Sequence, residues 1–200
     1  MELKKSYLKY ERKVDYLDDY YIKVKQGEEI TTKMDENKSN YIRMDNLYTL
    51  QLWQTHNIYI VKPLGSICKK SYGSFYDTAF YTESIEIITQ YDIETFVNTV
   101  PRKVQKILLE RNGWILPLIK GWTRKMAKIA LSNSPSTLLK LKEPDKKLIK
   151  IALKNRPTLS LQMEGAWIEY GIEVLKKWME KDKKNAKYFI TTLNLLNTKL

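Results

Sequence analysis

The chain has 200 residues, of which 43% are hydrophobic and 29% are charged, and its formal net charge is +12 at pH 7. This composition is typical of a globular protein and excludes a disordered chain. A single cysteine, Cys68, excludes an internal disulfide framework and any zinc site built from several cysteines. Because the sequence has no signal-like N-terminus and no apolar run long enough to span a bilayer, we expect no membrane partner. The predicted location is the cytoplasm, of the host cell if the protein is viral.

The first 80 residues carry the signals of a small α+β domain. Apolar residues at steps of three and four predict a helix over residues 1–18. Runs rich in β-branched and aromatic residues predict antiparallel strands after it, namely YYIKVKQ, NYIRM, NLYTLQLW and NIYIVKPL. The predicted fold class is therefore α+β. A small N-terminal helix and an antiparallel sheet (residues 1–80) precede an α-helical repeat domain (residues 81–200).

An aromatic cluster follows directly on Lys69 and Lys70. Rings beside basic residues suit the stacking of bases in single-stranded nucleic acid, which makes Tyr72, Phe75 and Tyr76 candidate stacking residues. The alternative is that these rings seal the joint between the sheet and the repeats. Residues 81–100, which end in DIETFVNTV, are interpreted as a degenerate helical unit that caps the repeat domain.

Residues 101–166 contain one unit written three times, with a spacing of 22 residues and no gaps: 101–122, 123–144 and 145–166. Each unit predicts a helix, a turn at Gly113, Pro135 or Pro157, and a second short helical piece. A fixed period of this kind is typical of a stacked, solenoid-like array. Residues 167–200 predict C-terminal capping helices, in which Trp167 and Trp178 are interpreted as packing residues.

The first helix of each unit carries a basic stripe. Positions 2, 3 and 6 of the unit fall within an arc of about 100°, whereas positions 4, 7 and 8 face the other way. We therefore expect Ile107, Ile129 and Ile151, at position 7, to be buried at equivalent places. All nine residues of the stripe are basic: Arg102, Lys103, Lys106, Arg124, Lys125, Lys128, Lys146, Lys147 and Lys150.

This stripe is the predicted binding site, because it lacks opposing charge. Residues 101–166 contain 15 Lys and Arg against four acidic residues, a net charge of +11. An ordinary solvated helix face mixes charges of both signs. A solvated face that only keeps the protein soluble is the alternative interpretation.

The run KIALKNRPTL, with its weaker copies KIALSNSPSTL and KILLERNGWIL, resembles a short helical repeat of unknown function. That repeat is common in giant DNA viruses and some intracellular bacteria, and its units follow roughly the pattern A-V-x-x-N-x-x-x-L. The glutamine that the family has before the Asn is absent here, and its acidic residues near the helix start are replaced by Lys and Arg. The resemblance covers about a third of the chain. It implies a helical-repeat fold and an interaction role, without catalytic residues.

Motifs for catalysis or metal binding do not emerge from the sequence. The run GSICKKS lacks the second Gly and the Lys of a phosphate-binding loop. His56 falls in a predicted turn without another His or a Cys at ligand spacing, and no third residue would orient it with Cys68. We therefore predict that the protein is not an enzyme and has no catalytic residues, no cofactor and no metal site.

Two functions fit these observations, and a nucleic-acid-processing enzyme is a third alternative that fits them less well. In the first, the basic stripe neutralises phosphates, and the protein binds nucleic acid or a nucleoprotein without reading base sequence. In the second, it docks onto an acidic protein partner. A composition rich in Lys, Ile, Asn and Tyr indicates AT-rich coding DNA. With the virus-associated repeat it predicts a phage or viral factor that blocks a host complex, such as a defence nucleoprotein. The sequence sets no oligomeric state.

Overall fold

The structure is a computed structural model that describes residues 20–30, 42–47, 49–71, 78–181 and 186–197. The chain divides into two compact units, Met1–Leu108 and Leu109–Leu200. The predicted helix over residues 1–18 lies outside the described residues.

Within the described residues, the first unit contains a six-stranded antiparallel sheet. Its strands are β1 (Tyr20–Lys25), β2 (Ile42–Asn46), β3 (His56–Pro63), β4 (Cys68–Ser71), β5 (Thr78–Thr82) and β6 (Ile85–Tyr91). Their order across the sheet is β4-β5-β2-β1-β3-β6. Together with the helices of the second unit, this sheet confirms the predicted α+β class.

Both faces of the sheet carry buried side chains. On one face Ile22 of β1 packs with Tyr59 of β3 in an apolar cluster. On the other face the ring of Tyr21 meets the ring of Phe96 edge-on, with centroids 5.7 Å apart. Phe96 belongs to α1 (Ile93–Thr99), which contacts β3 and β6. Because successive strand residues point to opposite faces, the neighbours Tyr21 and Ile22 of β1 are buried on the two sides of the sheet.

A buried ion pair, with an exposed arginine beside it, lies on the same face as Tyr21. Asp45, opposite Tyr21 in the β1–β2 register, is 4% exposed. Its carboxylate oxygens lie 3.7 Å from Lys23 Nζ and 3.6 Å from Arg43 Nη2. Burial raises the pKa of Asp45 and lowers the pKa of Lys23, although each group's opposite charge counteracts the shift. The desolvation of both charges is therefore a cost that the packing of this sheet has to offset.

Two segments of the first unit differ from the sequence prediction. The run NLYTLQLW does not continue as a strand where it is described. The chain turns after Asn46, whose carbonyl accepts from Thr49 N at 3.1 Å, and the two side chains close the same turn. Residues 85–91 form β6 instead of the start of a helical cap. Their β-branched side chains favour the strand, and Asp92 then caps α1 by accepting from Thr95 N at 2.7 Å.

The three repeat units share the same element boundaries, offset by 22 residues. Their helices are α2 (Arg102–Arg111), α3 (Arg124–Asn133) and α4 (Lys146–Asn155). Each is followed by a 3-10 helix, in order η1 (Gly113–Leu118), η2 (Pro135–Lys140) and η3 (Pro157–Gln162). The predicted turns at Gly113, Pro135 and Pro157 are confirmed, since each helix ends two residues before them. The boundary between the two compact units falls within α2.

The buried side of the repeat helices is rotated relative to the prediction. Unit positions 4, 5, 8 and 9 are buried in all three helices, as in α3, where they are Met126, Ala127, Ala130 and Leu131. Position 7 is equivalent in the three units but only half-buried: Ile107, Ile129 and Ile151. The reason is that α3 contacts η1 and η2 as well as α4, so the packed arc turns towards positions 5 and 9.

Two further helices, α5 (Ala166–Lys181) and α6 (Ala186–Asn197), follow the repeats and confirm the predicted pair. They share a core of Leu175, Phe189, Leu193 and Leu196. Trp178 packs there, 6.0 Å from the ring of Phe189. Trp167 does not fit the prediction of a packing residue, because it is 37% exposed. None of the helices in the described part of the chain is long and apolar enough to cross a membrane.

Candidate functional site

The repeat helices of the second unit begin side by side. Helices α3 and α4 contact each other, and Arg124 at the start of α3 donates to the carboxylate of Asp145, which caps α4. Helix α5 contacts α4 in the same way: the hydroxyl of Tyr170 lies 3.5 Å from the carbonyl oxygen of Lys146. The first turns of these helices therefore lie along one edge of the second unit.

Side-chain caps fix the start of α3 and of α4. Thr123 Oγ1 accepts from Met126 N at 3.3 Å, and Asp145 Oδ1 accepts from the backbone N–H groups of Lys147 and Leu148 at 2.9 Å each. The residues after each cap are the basic pair of the unit. No acidic residue lies in the first turn of any of the three repeat helices. A helix N-terminus already carries a partial positive charge and favours anions, so the basic pairs add to that charge.

All nine predicted binding residues lie on these helices. Eight are exposed and Lys106 is half-buried. Arg102, Lys103 and Lys106 are on α2, within the first compact unit. The other six, all in the second unit, are called the basic face below: Arg124, Lys125, Lys128, Lys146, Lys147 and Lys150.

Part of the basic face is compensated, contrary to the expectation of an uninterrupted stripe. Arg124 pairs with Asp145. The ammonium of Lys146 lies 5.1 Å from the centroid of the Tyr170 ring, which is within the range of a cation–π contact.

A carboxylate from α5 also reaches this face. The pKa of Glu173 is lowered chiefly by a hydrogen bond from Lys177 and, to a smaller extent, by the charges of Lys146 and Lys150. Within the described residues no acidic side chain pairs with the remaining three lysines, which are Lys125, Lys128 and Lys147. These three carry the uncompensated charge of the face.

The other candidates from the sequence do not gather into a site. Tyr72, Phe75 and Tyr76 lie outside the described residues. His56 opens β3, with Nδ1 3.3 Å from Thr55 Oγ1, and three strands separate it from the exposed Cys68 of β4. In the part of the chain that the structure describes, no three His, Cys, Asp or Glu side chains are grouped where they could hold a metal ion.

The placement of Tyr170 and Trp167 beside α4 could have been predicted from the repeat period. Continuing the 22-residue register beyond residue 166 places Gly171, Val174 and Leu175 at positions 5, 8 and 9, and all three are buried in α5. Helix α5 thus keeps three of the four buried positions of a unit, whereas position 4 is only half-buried. The same register places Trp167 and Tyr170 at positions 1 and 4, next to the start of α4.

Comparisons with known protein families, with curated proteins and with solved structures find no match to this chain. The resemblance of the three units to the viral helical repeat therefore stays a prediction. Function is inferred below from the geometry of the second unit.

Proposed function

We propose that this protein is a non-enzymatic binding protein that holds the phosphates of nucleic acid, free or within a nucleoprotein, on its basic face. In this proposal the 22-residue units stack as a short solenoid-like array, which repeats the same basic positions at successive helices. One observation carries it: α3 and α4 begin side by side, each with a basic pair and no acidic residue in its first turn.

The positions of the lysines at the starts of α3 and α4 favour a polyanion as the partner. Positive side chains at a helix N-terminus are typically unfavourable by about 0.3–1 kcal/mol each at low ionic strength, the reverse of the favourable interaction that an anion makes there. Lys125 and Lys147 occupy this position on adjacent helices, and Lys128 lies one turn further along α3. A phosphate backbone laid across these first turns would relieve both the unfavourable interaction with the helix dipole and the repulsion between lysines.

Another helix of the second unit, α5, shows how an ordinary solvated face differs from the basic face. Helix α5 is also exposed and rich in lysine, but its acidic residues alternate with the basic ones, as in the Glu173–Lys177 ion pair. That is the pattern of a solvated helix face. The first turns of α3 and α4 contain no acidic residue, and the one carboxylate at their starts is the Asp145 cap, which pairs with Arg124.

Charge neutralisation tests the proposal. The variant Lys125→Gln/Lys128→Gln/Lys147→Gln removes the uncompensated lysines, and the control Lys154→Gln/Lys176→Gln/Lys181→Gln removes the same charge from exposed positions elsewhere. Binding of fluorescent single-stranded and duplex oligonucleotides is measured from about 50 to about 200 mM salt. We expect the first variant to bind more weakly and its log–log salt slope to flatten by about 0.7–0.9 for each phosphate that is no longer neutralised. The control should stay close to wild type.

Equal affinities and slopes for the two variants would show that the basic face is only a solvated surface. If wild type binds neither oligonucleotide at low salt, nucleic acid is the wrong partner. Purification from cells with and without nuclease then decides whether an acidic protein takes its place, in which case free nucleic acid will not compete. The role of blocking a host complex stays a prediction that the same purification addresses.

A further inference from the structure

The second unit contains a groove beside the basic face. Its volume is 390 Å³, within the range of about 300–1,000 Å³ that is usual for small-ligand sites. The most exposed apolar side chains in its lining are Leu139 of η2, at 43%, and Trp167 of α5, at 37%. Leu138 and Met163, which also line it, are buried. The groove therefore offers a fixed apolar floor and an accessible indole ring.

Polar groups in the lining suit a heterocyclic ring better than a purely aliphatic ligand. Gln162 contributes an amide that can both donate and accept a hydrogen bond, and Lys142 contributes an ammonium. Glu164 supplies an acceptor in the same lining. An accessible aromatic ring with hydrogen-bonding side chains in the same lining is a combination that can recognise a base.

The groove lies next to the basic face in two places, one through contacts of α5 and one through the chain segment that leads into α4. Trp167 and Tyr170 are three residues apart on α5, so they lie on the same side of the helix within one turn. The Tyr170 ring lies against Lys146, with 5.1 Å from Nζ to the ring centroid. On the other side Pro144 lines the groove and directly precedes Asp145, the cap of α4. The basic pair Lys146 and Lys147 thus follows Pro144, which lines the groove, by only two and three residues.

We propose that this groove receives an unpaired nucleobase, stacked on Trp167, from a single strand whose phosphates lie on the basic face. This inference rests on the proposed function, and it names the substrate class as single-stranded rather than duplex nucleic acid. The faces of bases within a duplex are covered by their neighbours, so a paired base cannot enter. Charge identifies the occupant: Lys142 lines the groove and the basic pair Lys146 and Lys147 follows Pro144 in the chain, a cationic setting that favours a polyanion over an apolar peptide.

The test compares a single strand and a duplex of the same sequence. Trp167→Ala should weaken binding of the single strand by about 5- to 150-fold, the range expected when one base stack is removed, while leaving duplex affinity and the salt slope unchanged. Trp167→Phe should retain most of the single-strand affinity, because it keeps a ring. Trp53→Ala is the matched control, since Trp53 is 53% exposed but lies in the first unit. Leu139→Trp, which places a second indole in the groove, should change single-strand affinity, by filling the groove or by adding a stacking ring, and should leave duplex affinity unchanged.

The outcomes separate this inference from the proposed function. If the lysine variant loses salt-dependent binding while Trp167→Ala and Leu139→Trp bind the single strand as wild type does, the face binds nucleic acid and the groove inference is overturned. If wild type binds neither strand nor duplex, both proposals fail. If Trp167→Ala weakens the binding of single strand and duplex equally, the groove does not hold an unpaired base. The same holds if the variant weakens only the binding of a protein recovered by the purification.

Discussion

The guanidinium of Arg124 donates to the carboxylate of Asp145, which also accepts from the backbone N–H groups of Lys147 and Leu148. One carboxylate therefore caps α4 and ties it to the start of α3. The hydrogen bond from Leu148 N–H is the largest cause of the lowered pKa of Asp145, and Arg124 adds to it. Asp145 therefore holds the first turn of α4, with its basic pair, beside the first turn of α3.

Removal of the cap should destabilise the second unit. We expect Asp145→Ala to lower the free energy of unfolding by about 1 kcal/mol, and Asp145→Asn to cost less, because Asn is an equally good N-cap. Arg124→Ala should cost less than about 1 kcal/mol, since the Arg124 side chain is 64% exposed. Urea denaturation of the variants checks the order. A loss for Arg124→Ala greater than that for Asp145→Ala would contradict the capping role.

The same cap predicts a pH dependence. Because the folded pKa of Asp145 lies below its ordinary value of 3.8, its stabilising contribution is complete above that pH and is lost as the pH falls through the folded pKa. Asp145→Asn has no such titration. The difference in stability between wild type and Asp145→Asn should therefore shrink below about pH 4.

The contact between Lys23 and Asp45 in the sheet predicts that substitutions of the two residues have non-additive effects on stability. Asp45→Asn leaves the ammonium of Lys23 buried without its counter-charge, so we expect a loss of about 1–3 kcal/mol. Adding Lys23→Met should recover part of that loss. Arg43→Ala is the control and should cost less than about 1 kcal/mol, because the side chain is 60% exposed. Simple additivity of the Lys23 and Asp45 changes would show that the two charges do not interact.

The raised pKa of Asp45 acts in the opposite direction from the lowered pKa of Asp145. The folded state holds the proton of Asp45 to a higher pH than the unfolded chain does, so this carboxyl contributes less stability as the pH rises above 3.8. Asp45→Asn should remove this dependence. A pH series of unfolding midpoints for the two Asn variants separates the two carboxylates.

Two glycines of the second unit should respond oppositely to alanine. A Cβ on Gly113 would lie 2.7 Å from Ser134 Cβ and closer still to the carbonyl oxygen of Ala130, so Gly113→Ala should cost about 1–3 kcal/mol. A Cβ on Gly171 would meet nothing nearer than Ser160 Cβ at 3.4 Å. Since Gly is disfavoured in a helix interior, Gly171→Ala should be neutral or stabilise by up to about 1 kcal/mol. Thermal unfolding of both variants tests this, and a Gly113→Ala protein as stable as wild type would refute the close packing.

The helical part of the fold was largely predictable because its signals are local. Caps at Thr123 and Asp145, together with breakers at Pro135 and Pro157, define the helices of the second and third units at both ends without any tertiary information. The sheet was less predictable. Residues 85–91 have apolar spacing that fits either a helix or an edge strand, and only their pairing with β3 decides between them.

The sequence predicted which residues form the basic face, but not which of their charges are offset by a partner. Once the helices were placed, the basic residues at fixed unit positions were expected to be exposed, and all but the half-buried Lys106 are. Which charges remain uncompensated depends on contacts across units, such as Arg124 with Asp145 and Lys146 with Tyr170, which have no local signature. The exposure of Trp167 depends likewise on how α5 meets η2 and η3.

The strand order has a consequence for how the chain acquires its structure. Tyr20 pairs with Val61, and Ile42 pairs with Thr82, residues 41 and 40 positions apart. Contacts between the starts of neighbouring helices join residues 21 and 24 positions apart, as in Arg124 with Asp145 and Lys146 with Tyr170. Folding slows as the mean separation of contacting residues grows. The strands precede the repeat helices along the chain, so during synthesis the slower part emerges before the helical part. Its unpaired β-branched strands are then exposed until β5 and β6 arrive, which makes the nascent sheet the stage at which aggregation competes with folding.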